Sequence, residues 1–182
     1  MLPNPLHPAV VHFPVVLACL LPIFIGGALW SIRRGAAVRR AWLLPTAMAA
    51  ALAASAWLSV ETGEAQDERV ERVVGEAPLE THEEIAEAFL TTSVAVTVIA
   101  AAGLIGGVAG RTARVLTAVG SLALVAVVIR VGHTGGQLVY RHGAANAYTL
   151  PNGGVTDSTT SMAHAGARDE VRRVDGHRDG AP

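Results

Sequence analysis

Charge is the first thing this sequence has little of. Charged residues make up 16% of the 182 positions, against 51% hydrophobic, too few to solvate a soluble surface of this size. The shortage is also segregated. No Asp or Glu occurs between Met1 and Val60, and none between Ala88 and Thr156. Long acid-free stretches rich in Ala, Val and Leu are what a bilayer requires of the chain inside it. The formal net charge of -1 is therefore a cancellation that says nothing about partners. Basic patches of the kind that bind nucleic acid are missing, which excludes that class. Cysteine is nearly missing too: Cys19 is alone, so no disulfide framework, paired-cysteine zinc site or covalent haem attachment can be built. The run Val16-Leu17-Ala18-Cys19 has a loose likeness to a lipoprotein cleavage site. However, no basic segment precedes it and the apolar run continues past it. The same missing basic segment argues against a cleaved signal peptide, so the first helix is expected to stay in the mature protein.

What is present is four apolar segments, at about Val10–Ile32, Ala41–Val60, Ala88–Gly110 and Val115–Gly132. Each is close to the ~20 residues that cross a bilayer as a helix. None has the alternation of a strand, and an open sheet edge cannot exist in lipid. The expected fold is all-α, an integral membrane four-helix bundle over residues 1–149, followed by a polar, disordered tail over 150–182. Pro14, Pro22 and Pro45 fall within the first two helices, where membrane bundles tolerate kinks.

The loops orient the bundle. Arg33, Arg34, Arg39 and Arg40 lie in the first connection, and Arg111 and Arg114 in the third. The second, Glu61 to Glu87, holds ten acids against Arg69 and Arg72. Arginine-rich short loops stay in the cytoplasm, which puts the acidic loop and both termini outside, in a bacterial inner membrane. Within that loop Val70, Val73 and Val74 have the spacing of a short amphipathic helix. Thr81-His82-Glu83-Glu84 after Pro78 reads as a capping box that would start helix three at His82.

With this topology the scattered histidines form one group. His7, His12, His82, His133 and His142 all fall at the outer end, as does Glu61. On a helical wheel with Arg130 at zero, Thr134, Gln137 and Arg141 fall within about 40°. Gly132, Gly135 and Gly136 take the opposite face, a stripe that allows close approach by helix one near His12 or by a flat ligand. Each feature has a plainer reading: interface histidines are often only hydrated, and Arg130 would equally snorkel to headgroups or pair with Glu61.

Taken in order, His7-Pro8-x-x-Val11-His12-Phe13-Pro14, Glu61-Thr62-Gly63, His82 and Gly132-His133-x-Gly135-Gly136-x-Leu138-Val139-Tyr140-x-His142-Gly143 resemble a bacterial membrane family known as domain of unknown function 2231. The likeness covers roughly residues 5 to 145. The family has no settled activity. Some relatives are joined to cytochrome c-like or Rieske-like domains, so the resemblance implies redox work outside the cytoplasm. This chain ends instead in a polar tail, and its partner would be a separate extracytoplasmic redox protein or a larger membrane complex.

Two chemistries follow from the histidines. The first is electron transfer by b-type haem, with iron between His133 and either His12 or His82. His142 is a further candidate ligand, and Arg130, Arg141 and Tyr140 would hold the propionates. The second is a zinc, copper or iron ion on His12, His82, His133 and Glu61. A cofactor-free assembly subunit or small transporter, its histidines forming a hydrogen-bonded cap, is the third reading. No nucleophile has a convincing base and orienter, so a cofactor-binding or electron-transfer subunit is expected rather than a stand-alone enzyme.

Overall fold

A computed structural model describes residues 6–148; the expected tail over 150–182 lies outside them. Among the described residues six α-helices and one 3₁₀ turn follow in order: α1 (His7–Val10), α2 (His12–Arg33), α3 (Val38–Glu64), α4 (Asp67–Val74), α5 (Glu76–Ala102), α6 (Gly107–Tyr140) and the turn Ala144–Tyr148. No strand occurs among the described residues. Four helices are long and apolar enough to cross a membrane: α1 with α2, α3, α5 and α6. They pack as a ring in which α2 touches α3 and α6, and α5 touches α3 and α6.

The seams between helices have a seven-residue period. Buried positions run Pro14, Ala18, Leu21, Ile25 and Ala28 on α2, and Trp42, Pro45, Ala49, Leu52, Ala56 and Ser59 on α3. On α5 they include Phe89, Ser93, Val96 and Ala100, and on α6 Gly110, Arg114, Thr117, Ser121, Leu124 and Val128. Alternating steps of three and four are the pattern of left-handed helix packing. Nearly half of these residues are Gly, Ala, Ser or Thr, as expected where lipid tails are as apolar as the interior and close van der Waals contact holds helices together. The buried hydroxyls are satisfied within the bundle. Ser93 Oγ donates to Phe89 O, Thr117 Oγ1 to Ala113 O, and Thr97 Oγ1 lies 2.9 Å from Ala49 O across the α3–α5 seam. Outward, Phe13, Ile23, Val98, Val119, Leu122 and Ile129 are exposed, a lipid-facing belt.

Helix ends differ from the sequence reading in two places. The capping box is not used: α5 begins at Glu76, after Gly75 at φ 81°, and Thr81 Oγ1 donates back to Ala77 O at 2.9 Å. Pro78 falls in the first turn, where its missing N–H has no intrahelical partner to lose. Proline there opens the helix rather than preceding it. The third apolar segment also breaks earlier than Gly110. It ends at Ala102, and the chain turns through Gly103 to Gly106 into α6, whose first residue, Gly107, has φ 75°. Arg114 is buried and donates to the turn carbonyls of Gly103 and Ile105, so this loop arginine is structural.

The expected amphipathic helix in the acidic loop is α4. Together with the 3₁₀ turn it forms a cap on one end of the bundle. Val70 and Val74 pack on a small cluster of Leu79, Leu138 and Ala144. Tyr148 Oη donates to Gln66 Oε1 at 3.3 Å, and the Arg69 guanidinium lies 5.7 Å from the Tyr148 ring centroid.

Candidate functional site

Under this cap lie His7, Asp67, His82 and Glu83. The inward heptads place two of them. His7 stands one heptad before Pro14, and His82 one heptad before Phe89. Gly63 and Gly135 extend the buried seams of α3 and α6 in the same way. Each imidazole rests against the glycine of a neighbouring helix. A Cβ on Gly63 would stand 3.3 Å from His7, and one on Gly135 3.2 Å from His82 Cε1.

Hydrogen bonds fix both rings. His7 Nδ1 lies 2.8 Å from Ser59 O. A carbonyl only accepts, so Nδ1 carries the proton and Nε2 keeps its lone pair. His82 Nδ1 lies 2.9 Å from Thr134 Oγ1, whose hydroxyl is also 3.2 and 3.1 Å from Arg130 O and Val131 O. When the hydroxyl donates to one of those carbonyls it accepts from His82 Nδ1, and in that tautomer Nε2 keeps its lone pair. The rings come from different helices and are near enough to interact electrostatically.

The acids are paired. The carboxyl of Asp67, at the start of α4, lies near enough to that of Glu83 for the two to share a proton. Glu83 Oε1 is buried without a donor. Two ionised carboxylates bring no proton to such a contact, so the pair is complete when one of them is protonated. Burial pushes the Asp67 carboxyl above its ordinary value, against the pull of the bond to Glu83 and of nearby His7.

The residues singled out from sequence are distributed differently. His82 is in the cluster. His12 is exposed, because it precedes buried Pro14 by two residues and so lies about 200° away on the helix. His133 is also exposed, and its Nε2 accepts from Gln137 of its own helix at 2.9 Å. Arg130, Tyr140, Arg141 and Glu61 are exposed, and His142, past the end of α6, is half-buried. His12, His82, His133 and Glu61 are thus not gathered. Among the described residues, no three His, Cys, Asp or Glu side chains are placed to hold a metal ion.

The expected approach of helix one to the glycine stripe is corrected too. A Cβ at Gly132 or Gly136 would meet nothing within 4 Å, whereas Gly135 faces His82. The inward face of α6 lies between the two stripes, along Val131, Thr134, Gly135 and Leu138. Accordingly Gly136→Leu is expected to leave thermal stability and the His82 environment unchanged, while Gly135→Leu displaces the ring. The histidine Cε1 proton resonances of the two variants check this. A shift of the His82 signal in Gly136→Leu alone would reverse the assignment of faces.

The comparisons agree with this architecture. The model of a family described as predicted membrane protein, DUF2231, matches residues 3–148. The chain belongs to that family. The DUF2231 match spans the four helices, the α4 cap and the 3₁₀ turn, and it takes in His7, Asp67, His82 and Glu83. No curated protein and no solved structure matches the chain.

Proposed function

We propose that this DUF2231 protein is a membrane redox subunit in which His7 and His82 would hold a b-type haem at the histidine end of the bundle. The observation carrying this reading is that both imidazoles are held through Nδ1, which leaves Nε2 as the nitrogen open to a metal. That is the arrangement by which proteins orient histidine ligands and raise their basicity. Haem also suits a site with two available histidines. The macrocycle supplies four donors and the protein only the axial ones, whereas a bare ion such as zinc takes three or four from the protein. His7 thus replaces His12 and His133 in the pairing expected from sequence. When bound, haem supplies one-electron chemistry; the protein's part is to orient the imidazoles through Ser59 O and Thr134 Oγ1. The test is the absorption spectrum of detergent-purified protein from haem-sufficient cells. A Soret band is expected, and a haem-free preparation would overturn the reading. The second reading would then hold: a cofactor-free cap in which His7–Ser59, His82–Thr134 and Asp67–Glu83 tie the helix ends.

The proposed setting is a bacterial inner membrane, with the histidine end outside and electrons exchanged with a separate redox protein there. The arginines of the two short connections support this orientation. In a Cys19→Ala background, a cysteine at exposed Ala77 is expected to react with a membrane-impermeant thiol reagent in intact cells. One at exposed Ala36 is expected to react only after lysis. The reverse pattern would invert the protein and place the site in the cytoplasm.

A further inference from the structure

At the opposite end of the bundle, positive charge collects with no counter-ion among the described residues. Arg33 closes α2 and Arg34 follows it; Arg39 and Arg40 lie in the first turn of α3; Arg111 lies near the start of α6. All five are exposed. The helix ends and turns that build this end lie within the acid-free stretches of the sequence, so no Asp or Glu stands among them.

Helix electrostatics do not explain the placement. Arg39 and Arg40 stand at a helix N-terminus, where cations are disfavoured. That terminus has no acid in its first turn and no side-chain cap, and the first backbone N–H bonded there is that of Ala41, to Ala37 O. The N–H groups ahead of it, beside two guanidinium groups, make an end that seeks an anion. A second observation sets the depth. The Arg34 guanidinium lies 4.2 Å from the centroid of the Trp30 ring, and Trp30 is 57% exposed on the lipid-facing surface. Indoles of this kind sit at the headgroup level, so Trp30 holds Arg34 at the depth of the lipid phosphates.

We propose that this end is a binding surface for anionic phospholipid headgroups, with Arg33, Arg34, Arg39, Arg40 and Arg111 supplying the charge and Trp30 fixing the depth. Arg114 is not part of it, because its guanidinium is consumed by the turn carbonyls. The surface is independent of any cofactor at the other end.

The test uses the full chain in nanodiscs of phosphatidylcholine, alone or with phosphatidylglycerol. Phosphatidylglycerol is expected to raise the unfolding temperature and to stay bound in native mass spectra. Each arginine near a charged surface contributes about fivefold in affinity. Arg39→Gln/Arg40→Gln is therefore expected to lower phosphatidylglycerol retention by about 25-fold, with its unfolding temperature in phosphatidylcholine unchanged. Arg130→Gln/Arg141→Gln, at the histidine end, is expected to retain as much lipid as the parent. Equal retention by the Arg39/Arg40 variant would overturn the proposal. So would equal loss in the Arg130/Arg141 variant, since lipid binding would then follow total charge. Inorganic phosphate is expected to give no stabilisation in phosphatidylcholine discs. If it stabilises as well as the lipid does, the surface takes a free anion instead.

Discussion

His82→Ala and His7→Ala are each expected to abolish the Soret band while the protein remains in the membrane. Either change removes one axial nitrogen. The bundle itself is held by seams that run the length of four helices, and in a membrane a lost interhelical hydrogen bond costs only about 0.6 kcal/mol on average. His133→Ala and His12→Ala are expected to keep the band, since both side chains face away from the cluster. Thr134→Val probes orientation rather than ligation. It removes the hydroxyl that fixes His82 Nδ1, and loss of such an outer partner typically weakens binding 10–100-fold. Haem is then expected to be lost on dilution but restored by excess haem, which no ligand-deleted variant should show. A Soret band that survives both His7→Ala and His82→Ala but vanishes in His133→Ala would move the site to the exposed side of α6.

The four spans were legible because each is a long acid-free apolar run, and in lipid such runs have no alternative to a helix. α4 was legible from three valines at helical spacing. His7 was within reach as well. It stands seven residues before Pro14, fourteen before Leu21 and twenty-one before Ala28, all buried on one seam, so the heptad alone points it inward. What hid that signal was a wheel drawn only from polarity. On α6 the contrast between charged and glycine stripes is strong, yet the buried face runs between them through Val131, Thr134, Gly135 and Leu138. Composition along one helix does not say which neighbour it meets. Glycine proved informative where it lay on a seam: Gly63 and Gly135 receive imidazoles, whereas Gly132 and Gly136 face open space. Asp67 and Glu83 were two acids among ten in a loop. Only the fold of α4 against α5 brings them together, and no spacing rule links a residue on one helix to one sixteen positions later on another.

Trp42→Ala is expected to be the most destabilising truncation in the membrane-embedded part of the chain. Trp42 is fully buried at the end of the bundle remote from the histidines, and its Nε1 donates to Ala100 O at 2.9 Å. The indole fills the space that Gly103 leaves on the neighbouring helix, where any Cβ would collide with its Nε1 and Cε2. Phe/Trp→Ala in soluble cores costs about 3–5 kcal/mol, part of it transfer from water and part the cavity left behind. Between helices in lipid the transfer part fades, because the tails are as apolar as the core, while the lost contacts remain. The lower end of that range, about 3 kcal/mol, is therefore expected. Trp42→Phe separates the terms. It keeps most of the volume and deletes the N–H donor, but Ala100 O still accepts from the Gly103 N–H at 3.0 Å. Its cost should stay within about 1 kcal/mol. Denaturant unfolding in detergent, followed by far-UV circular dichroism, measures both. If Trp42→Phe costs as much as Trp42→Ala, the hydrogen bond rather than the packing holds this seam. If neither costs anything, the Trp42–Gly103 contact carries no stability, and small-residue packing is not what closes the α3–α5 seam.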